Sequence, residues 1–246
     1  MKLPIPPLYI SRKKRICTPV GFKEGLAKAL SNSLAYGVDS RKTLYQFHGY
    51  IPQLPKNVLL KRWTTGITSS SLCVGFIYYI YYTVYNRLLH TPFAGPLAAL
   101  ATSLIKLPIY NSMKIMQSAR VNTLYDGMKY ISNTNGLYTG YGVSLVEDIV
   151  ELDIKNRLYN TFKTQNFQYN ICVGTCSSAF AAAITTPFDN IRLKLCMDKN
   201  IKPLPIIKQL IVSKELYKGL RFRTLSNMTK NVTFFLLFEL FKLYFD

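Results

Sequence analysis

In the last third of the chain, a short run reads Pro187-Phe188-Asp189-Asn190-Ile191-Arg192, and Gly219 follows its proline by 32 residues. The same interval separates Pro108 from Gly140 in the middle of the chain. Equal spacing over such a distance rarely arises by chance. It predicts one structural unit that the chain uses more than once.

A third, less regular copy precedes these two. Its run, Gly37-Val38-Asp39-Ser40-Arg41-Lys42, begins 29 residues before Gly66. An aromatic residue stands 19 positions after each of the three glycines: Tyr85, Tyr159 and Phe238. We therefore divide the chain into a basic N-terminal arm (residues 1–20) and a single domain (21–246), with repeats at roughly 21–90, 91–165 and 166–246.

The composition favours a membrane protein with a polar interior. Apolar residues make up 49% of the 246 residues, yet the mean hydropathy of +0.09 is too low for helices that face lipid on every side. Membrane helices with one polar face toward a cavity fit both values. The formal net charge of +19 suits either nucleic acid or anionic lipid. The apolar segments favour lipid, so we expect no nucleic-acid partner.

Six segments are long and apolar enough to predict membrane-crossing helices. They cover roughly residues 22–46, 66–89, 92–117, 141–163, 168–196 and 220–244. Residues 76–85 are strongly aromatic and would suit a strand, but the repeat places them where the other two copies look helical. We therefore predict an all-α membrane protein with six transmembrane helices in three pseudo-threefold repeats.

Each repeat also contains a short basic, amphipathic stretch between its two long segments. These stretches cover residues 55–63, 125–137 and 203–216. Each is too polar to cross a membrane, so we predict one surface helix per repeat. Each ends near the glycine that opens the next long helix, where free backbone N–H groups suit a lipid phosphate.

Two prolines, Pro108 and Pro187, lie late in the third and fifth segments. They predict helix kinks, because proline removes a backbone hydrogen bond inside a helix. Together with the first run, they are expected to draw three helices together at one end of a cavity. Small residues one turn apart precede each proline and predict close packing: Gly95, Ala98, Ala99 and Thr102, then Gly174, Ser178, Ala181 and Ala182.

The sequence does not favour an enzyme. His48 and His90 stand beside no serine or cysteine nucleophile, and there is no glycine-rich phosphate loop. The five cysteines form no disulfide framework, and Cys172 and Cys176 have no nearby third ligand to complete a metal site. We expect neither a cofactor nor a metal.

The repeated pattern resembles that of the mitochondrial carrier family. In that family, Pro-x-[Asp/Glu]-x-x-[Lys/Arg] ends the odd helices, and aromatic-[Lys/Arg]-Gly precedes the even ones. Residues 187–192 match fully, residues 37–42 differ only in their glycine, and residues 108–113 keep only the proline. The resemblance covers roughly residues 21–244 and implies six tilted helices around a cavity that opens alternately to either side.

The resemblance also implies a location and partners. Family members usually lie in the mitochondrial inner membrane as multi-pass proteins, and we expect a monomer here. A small-molecule substrate and membrane lipid, cardiolipin above all, are the implied partners. Antiport and uniport both remain open.

A matrix gate of charged pairs between repeats is implied as well. Its residues here are Asp39, Lys42, Asp189, Arg192, Gln46 and Gln117. By the family's pairing rule, Asp189 meets Lys42. Asp39 faces Met113, and Arg192 faces Tyr110, so two ion pairs are lost.

The implied cytoplasmic gate follows [Phe/Tyr]-[Asp/Glu]-x-x-[Lys/Arg] on the even helices. The third repeat keeps both Glu239 and Lys242, the second keeps only Lys163, and the copy at Tyr85 lacks both charges in register. No complete ion pair remains. This side is expected to have a weak gate, or one closed by neutral hydrogen bonds.

The family's substrate contacts lie on the even helices, a few turns after the aromatic-x-Gly motif. The matching positions here include Cys73, Glu147, Asp148, Glu151, Ser226 and Lys230. Ionisable groups at bilayer depth usually face a cavity. Glu151 and Lys230 would form a structural ion pair, or the acids would hold a substrate cation while Lys230 or Arg223 holds an anionic end.

Three functions remain open. By analogy within the family, Glu147 and Asp148 favour an amino acid or another cation-bearing metabolite, since two carboxylates repel simple dicarboxylates. A nucleotide is an alternative, held by Arg223, Lys230 and Lys106. A membrane adaptor with a carrier fold and no transport is a further alternative, which the degraded gates favour and the interior charges oppose.

Overall fold

The computed structural model of the protein describes residues 21–50, 56–88, 90–91, 94–118, 120–134, 136–197 and 203–245. It describes the backbone alone for residues 56–65, 96, 203 and 242–245. The predicted basic arm (1–20) lies outside the described residues, as does the first residue of the first surface stretch.

The described residues form eight α-helices and no strand. In chain order these are α1 (Phe22–His48), α2 (Lys56–Arg87), α3 (Ala94–Gln117), α4 (Leu124–Thr134), α5 (Tyr141–Phe162), α6 (Phe167–Met197), α7 (Pro203–Val212) and α8 (Leu220–Phe245). The prediction of an all-helical protein is confirmed. The aromatic run at 76–85 lies inside α2, so the strand alternative is wrong.

The repeats differ where the surface stretch meets the next long helix. α4 and α7 are separate short helices, and α5 and α8 begin after Gly140 and Gly219. The φ angles of these glycines are +76° and +81°, which glycine adopts without steric cost. Gly66 instead lies inside α2, a continuous helix of 32 residues. The prediction of a separate surface helix is therefore wrong for the first repeat.

The six long helices close into a ring. α1 packs against α2 and α8, α3 packs against α2 and α5, and α6 packs against α5 and α8. Of the short helices, α4 lies against α3 and α7 lies against α6. The contact between α1 and α8 joins the first repeat to the third.

Every long helix of this ring exposes large apolar side chains. Examples are Leu34, Phe76, Leu104, Ile149, Phe180 and Leu236, one from each helix in chain order. Many buried side chains, by contrast, are polar or charged. Charged side chains such as Lys42, Glu147 and Arg223 are seldom so deeply buried in water-soluble proteins unless they are paired. By length and composition, two described helical segments qualify as membrane spans, Gly66–Arg87 and Phe167–Met197, so the six-span arrangement stays a prediction.

Small residues bring neighbouring helices close together. Ala98, Ala181 and Ala182, which the sequence pattern singled out, are fully buried. A further close approach joins α1 to α2, where a Cβ on Gly25 would lie 2.8 Å from the carbonyl oxygen of Gly75. Larger side chains at these positions would push the helices apart.

The odd helices meet at one end of the ring. Pro108 and Pro187 lie inside α3 and α6, and α1, α3 and α6 contact one another directly. Near the C-terminal ends of α1 and α3, Thr43 donates a hydrogen bond of 3.0 Å to Gln117. We call this the closed end of the ring.

Two asparagines anchor the odd helices to the starts of the even ones in the same way. Asn190 donates hydrogen bonds to the carbonyl oxygens of Leu216 (2.7 Å) and Lys218 (3.1 Å), and Asn111 donates to that of Thr139 (3.1 Å). Each asparagine stands three residues after its proline, and Lys218 and Thr139 directly precede their glycines. The second and third repeats therefore share a contact as well as a sequence pattern.

Candidate functional site

Asp189 is the centre of a buried charge cluster at the closed end. Its carboxylate lies 2.8 Å from Lys42 Nζ, 3.0 Å from Arg223 Nη1 and 3.2 Å from Arg192 Nη2, and Lys114 Nζ is 3.6 Å away. Four helices, α1, α3, α6 and α8, contribute these side chains. We call these five residues the Asp189 cluster. A buried carboxylate needs such partners, because desolvation penalises its charge.

Arg223 connects this cluster to two carboxylates of α5. Its Nη2 atom lies 2.8 Å from Glu147, 3.1 Å from Glu151 and 2.8 Å from the Thr185 hydroxyl. Glu147 also lies 3.3 Å from Arg192. Among the described residues, the buried Nε atom of Arg223 has no hydrogen-bond partner.

Two ion pairs beside the cluster involve α5. Lys106 Nζ on α3 lies 2.6 Å from Asp148, and Lys155 Nζ lies 2.5 Å from Glu151, one helical turn away. These contacts occupy the carboxylates that the sequence left available for a substrate cation.

A third pair joins α8 to α1. Lys230 binds Asp39, which also accepts a hydrogen bond from Ser226. The side chains in these three ion pairs are 13–29% exposed. We call their six residues the half-buried layer: Asp39, Lys106, Asp148, Glu151, Lys155 and Lys230.

Exposure falls from the half-buried layer to the Asp189 cluster. In the cluster, the side chains range from 2% exposed for Asp189 to 11% for Lys114. The interior is therefore least accessible at the closed end, and we call the opposite end of the ring the open end.

The ion pair between Lys42 and Asp189, which the family resemblance implies, is present in the structure. Asp39 differs from expectation, because it binds Lys230 instead of standing unpaired against Met113. α1 and α8 are neighbours in the ring, so a long lysine side chain on α8 can reach this carboxylate.

Arg192, expected to face Tyr110, makes its ion pairs with Glu147 and Asp189. It also donates a hydrogen bond of 3.1 Å to Ser144. Buried carboxylates attract a guanidinium more strongly than a phenol does. Arg192 therefore has acidic partners although the second repeat supplies none in the motif.

A structural ion pair between Glu151 and Lys230 is not formed, so this alternative from the sequence is wrong. Glu151 contacts Lys155 and Arg223, whereas Lys230 contacts Asp39. The partner within the same helix lies closer to Glu151 than any residue across the ring, which explains the difference.

Both predicted gate glutamines are buried at the closed end. Gln46 Nε2 donates a hydrogen bond of 3.1 Å to Asp189, and Gln117 accepts one from Thr43. Cys73 on α2 is half-buried and takes no part in the ion pairs or hydrogen bonds of the described residues.

Three interior lysines were missed by the sequence patterns. Lys114 stands one position after Met113, and Lys155 stands four after Glu151; the i,i+4 spacing was the available signal for the second. Lys28 follows no motif. Its Nζ lies 4.2 Å from the ring centroid of Phe234 and 5.1 Å from that of Tyr78.

At the open end, where no complete ion pair was predicted, aromatic side chains of α5 and α8 contact one another. Phe234 stacks on Phe238 at 5.8 Å, and Tyr159 stacks on Phe235 at 6.5 Å. Lys163, directly after α5, is exposed and donates a hydrogen bond of 3.0 Å to Asn160. The side chain of Lys242 lies outside the described residues, and Glu239 is partly exposed.

A small surface cleft lies apart from this interior, between the C-terminal ends of α1 and α6 and the segment that joins α7 to α8. Lys194, Lys218 and Glu215 line it. Lys218 donates a hydrogen bond of 2.7 Å to Glu215, which holds the pKa of that carboxyl below its usual value. The cleft therefore presents two lysines beside the start of α8.

Residues 163–246 match the family model described as mitochondrial carrier protein. The matched segment begins directly after α5 and includes the 187–192 run, Gly219 and Phe238. No curated protein matches the sequence significantly.

Proposed function

We propose that this chain is a member of the mitochondrial carrier family, whose model matches residues 163–246, and that it carries a small metabolite across the mitochondrial inner membrane by alternating access. The half-buried layer would receive the solute from the open end, while the Asp189 cluster holds the other end shut. Separation of the ion pairs in that cluster would then release the solute on the far side. The family match supports solute transport in general.

The Asp189 cluster is the observation that supports this function most directly. It joins four helices of the ring through ionised side chains that are almost completely buried. A buried ion pair contributes little net stability, because desolvation offsets the attraction between the charges. Such a layer closes the ring without locking it, which a transporter requires.

Helix lengths and exposed apolar side chains support a six-span arrangement. α5 is the shortest long helix, and its 22 residues extend over about 33 Å at 1.5 Å per residue. The hydrocarbon core of a bilayer is about 30 Å thick. Apolar residues exposed on all six long helices would then contact lipid tails.

The cleft beside the start of α8 supports a lipid partner. Lys194 and Lys218 line it, and the first backbone N–H groups of a helix favour an anionic group. An anionic phospholipid such as cardiolipin, which the family resemblance implies, matches this chemistry.

Solute uptake by the full chain in cardiolipin-containing liposomes tests the proposal. The panel contains amino acids, nucleotides, phosphate and carboxylates, each tested with and without the same solute loaded inside. We expect saturable uptake of at least one solute by the wild type and its loss in Glu147→Gln. Arg157→Gln, which removes an exposed ion pair with Asp153, is the matched control and should transport normally.

Absence of uptake from well-folded protein would favour the adaptor alternative. The aromatic contacts at the open end give that alternative its support, since the predicted ion pairs there are incomplete. Thermal unfolding of the same preparation shows whether the protein is folded, so a failed preparation is not mistaken for an adaptor.

A further inference from the structure

We propose that the outward face of α5 is an interface at which two copies of this chain associate side by side in the membrane. The inference rests on the six-span arrangement proposed above, but it does not depend on transport. It differs from the monomer that the family resemblance implies.

Asp153 is unusual among the outward side chains of the ring. Among the residues of the six long helices whose exposure the structure describes, it is the only exposed acidic side chain. α5 runs from Tyr141 to Phe162, so at 1.5 Å per residue Asp153 lies about 18 Å from its start and about 13 Å from its end. In the six-span arrangement, this carboxylate lies near the middle of the hydrocarbon core, where an ionised group is costly.

Arg157, one helical turn further along α5, is the partner of Asp153 within the chain. Its Nε atom lies 2.8 Å from the carboxylate, yet the side chains of Arg157 and Asp153 remain 79% and 54% exposed. Lipid tails offer no hydrogen bonds to these charged groups. Unlike lysine or arginine, aspartate is too short to extend to the lipid headgroups. The pair therefore needs a polar neighbour outside the ring.

The exposed residues of α5 include one continuous stripe. Its members recur at alternating intervals of four and three positions, which suits the packing of two parallel helices along one side of each. An added Cβ on Gly142 would have nothing within 4 Å, so a second helix can approach closely there. We call the following residues the α5 stripe: Gly142, Val146, Ile149, Asp153, Asn156 and Asn160.

Charge complementarity identifies the neighbour as a second copy of the chain. Asp153 and Arg157 lie one turn apart on the same outward face. Two copies related by a two-fold axis along the membrane normal therefore present each Asp153 to Arg157 of the other copy. Two carboxylates and two guanidinium groups then form a closed, neutral set.

The outward faces of the other long helices are less suited to self-association. Their exposed ionised side chains, where the structure describes them, are all basic: Arg41, Arg87 and Arg221. Like charges on two copies repel each other. The face of α5 is thus the one that carries both signs of charge among the described residues of these helices.

The interface lies outside the ring, so its loss leaves the interior of each ring unchanged. In a detergent micelle, water reaches an exposed ion pair and makes it weak. We therefore expect the association in lipid bilayers, and it can be measured independently of solute uptake.

The test uses the fluorescently labelled full chain in phosphatidylcholine vesicles that contain cardiolipin, over a range of protein-to-lipid ratios. Single-molecule photobleaching counts the copies in each complex. The fraction of wild-type chain in dimers should rise with this ratio and saturate, without larger complexes.

Charge reversal tests the reciprocal pairs. Asp153→Arg or Arg157→Asp alone should raise the apparent dissociation constant about tenfold or more, because like charges then meet across the interface. A one-to-one mixture of the two variants should form mixed dimers as readily as the wild type, since each supplies the charges that the other lacks. Asp153→Asn, the milder replacement, should weaken association in the same direction.

Disulfide crosslinking locates the face. Cys172 and Cys176, both exposed on α6, are first changed to serine to lower the background. Ile149→Cys should then crosslink two copies through the α5 stripe. Leu34→Cys is the matched control, because it changes an exposed apolar residue of α1 on the opposite side of the ring. It should give only background crosslinking.

A wild type that stays monomeric at every ratio would overturn the proposal, as would equal crosslinking at the two positions or a mixture that fails to associate. Thermal unfolding of each variant in detergent shows whether a loss of association is a loss of folding. Dimers without solute uptake would uphold the interface and contradict the transport function. Uptake by a chain that stays monomeric would uphold transport and contradict this inference.

Discussion

Lys42 and Asp189 stand 147 positions apart in the sequence, and their charged atoms lie 2.8 Å apart in space. The two partners are not equivalent. Asp189 also contacts Arg192, Arg223 and Lys114, whereas Lys42 forms an ion pair only with Asp189 among the described residues. One carboxylate therefore does most of the charge compensation at the closed end.

Removing the carboxylate should cost more stability than removing the lysine. Asp189→Asn leaves the buried Lys42 and Lys114 without an acidic partner, whereas the two arginines of the cluster keep Glu147. Breaking such a network costs about 3–5 kcal/mol. Lys42→Met leaves Asp189 with three cations, so we expect less than half that loss. Thermal unfolding in detergent compares the two. Equal losses of stability would contradict the central role of Asp189. The control is Asp153→Asn, which removes an exposed ion pair and should change stability little.

Charge reversal tests the pair in transport. Asp189→Lys should abolish uptake, because it adds a fifth positive charge to the cluster. Adding Lys42→Asp should restore only a small part of the uptake. The reversed pair would replace only one of the four ion pairs that Asp189 makes in the wild type. Initial uptake rates in liposomes measure this. Full recovery in the double variant would show that the other contacts of Asp189 are dispensable.

Asp39 and Lys230 should be energetically coupled. Asp39→Asn and Lys230→Gln each remove one partner, and directly contacting residues typically show coupling of about 0.5–3 kcal/mol. We expect the double variant to be less destabilised than the sum of the single ones. Asp39→Asn combined with Lys163→Gln is the control pair and should be additive. Additive losses of stability in both cycles would show that Asp39 and Lys230 do not interact energetically.

Gly219 should tolerate no side chain. Its φ of +81° disfavours an L-residue, and a Cβ there would lie 2.7 Å from Gln46 Cγ. Gly219→Ala should cost about 1–3 kcal/mol from backbone strain alone. Gly142 lies in α5, and a Cβ added there would have nothing within 4 Å. Gly142→Ala should therefore raise the free energy of unfolding by about 0.5–1 kcal/mol. Comparable unfolding temperatures for the two would contradict this prediction.

Asn190 should stabilise the junction between α6 and α8. Asn190→Leu removes the donor to Leu216 and Lys218 and leaves their partly buried carbonyl groups short of a partner, at about 1 kcal/mol or more. Hydrogen exchange should rise at the start of α8, and Asn111→Leu should have the same effect at the start of α5. Unchanged exchange at both sites would show that the junctions hold without these side chains.

Apolar segments and the repeat spacing predicted the long helices, and the family resemblance predicted one long-range contact. The intervals from Pro108 to Gly140 and from Pro187 to Gly219 predicted long helices that end and begin at equivalent places. The pairing of Asp189 with Lys42 followed from the family pattern, which assigns partners by register. Those features depend on the backbone repeat, so a pattern of positions captures them.

The remaining contacts depend on how far individual side chains reach. Lys114 contacts Asp189 from a position next to the expected one, because a lysine side chain is long and flexible. Lys230 binds Asp39 because α1 and α8 are neighbours in the closed ring. Neither fact follows from a motif. The continuity of α2 through Gly66 was also missed, since a glycine inside a helix and one at its start look the same in sequence.

The unbroken α2 makes the first repeat mechanically different from the other two. Its 32 residues form a rod of about 48 Å at 1.5 Å per residue, whereas Gly140 and Gly219 separate a short helix from a long one in the other repeats. A tilt of α2 therefore moves both of its ends together, while α5 and α8 can swing about a glycine joint. We therefore expect the ring to open asymmetrically. The second and third repeats would bend at their glycines, whereas the first repeat would move as one rigid helix.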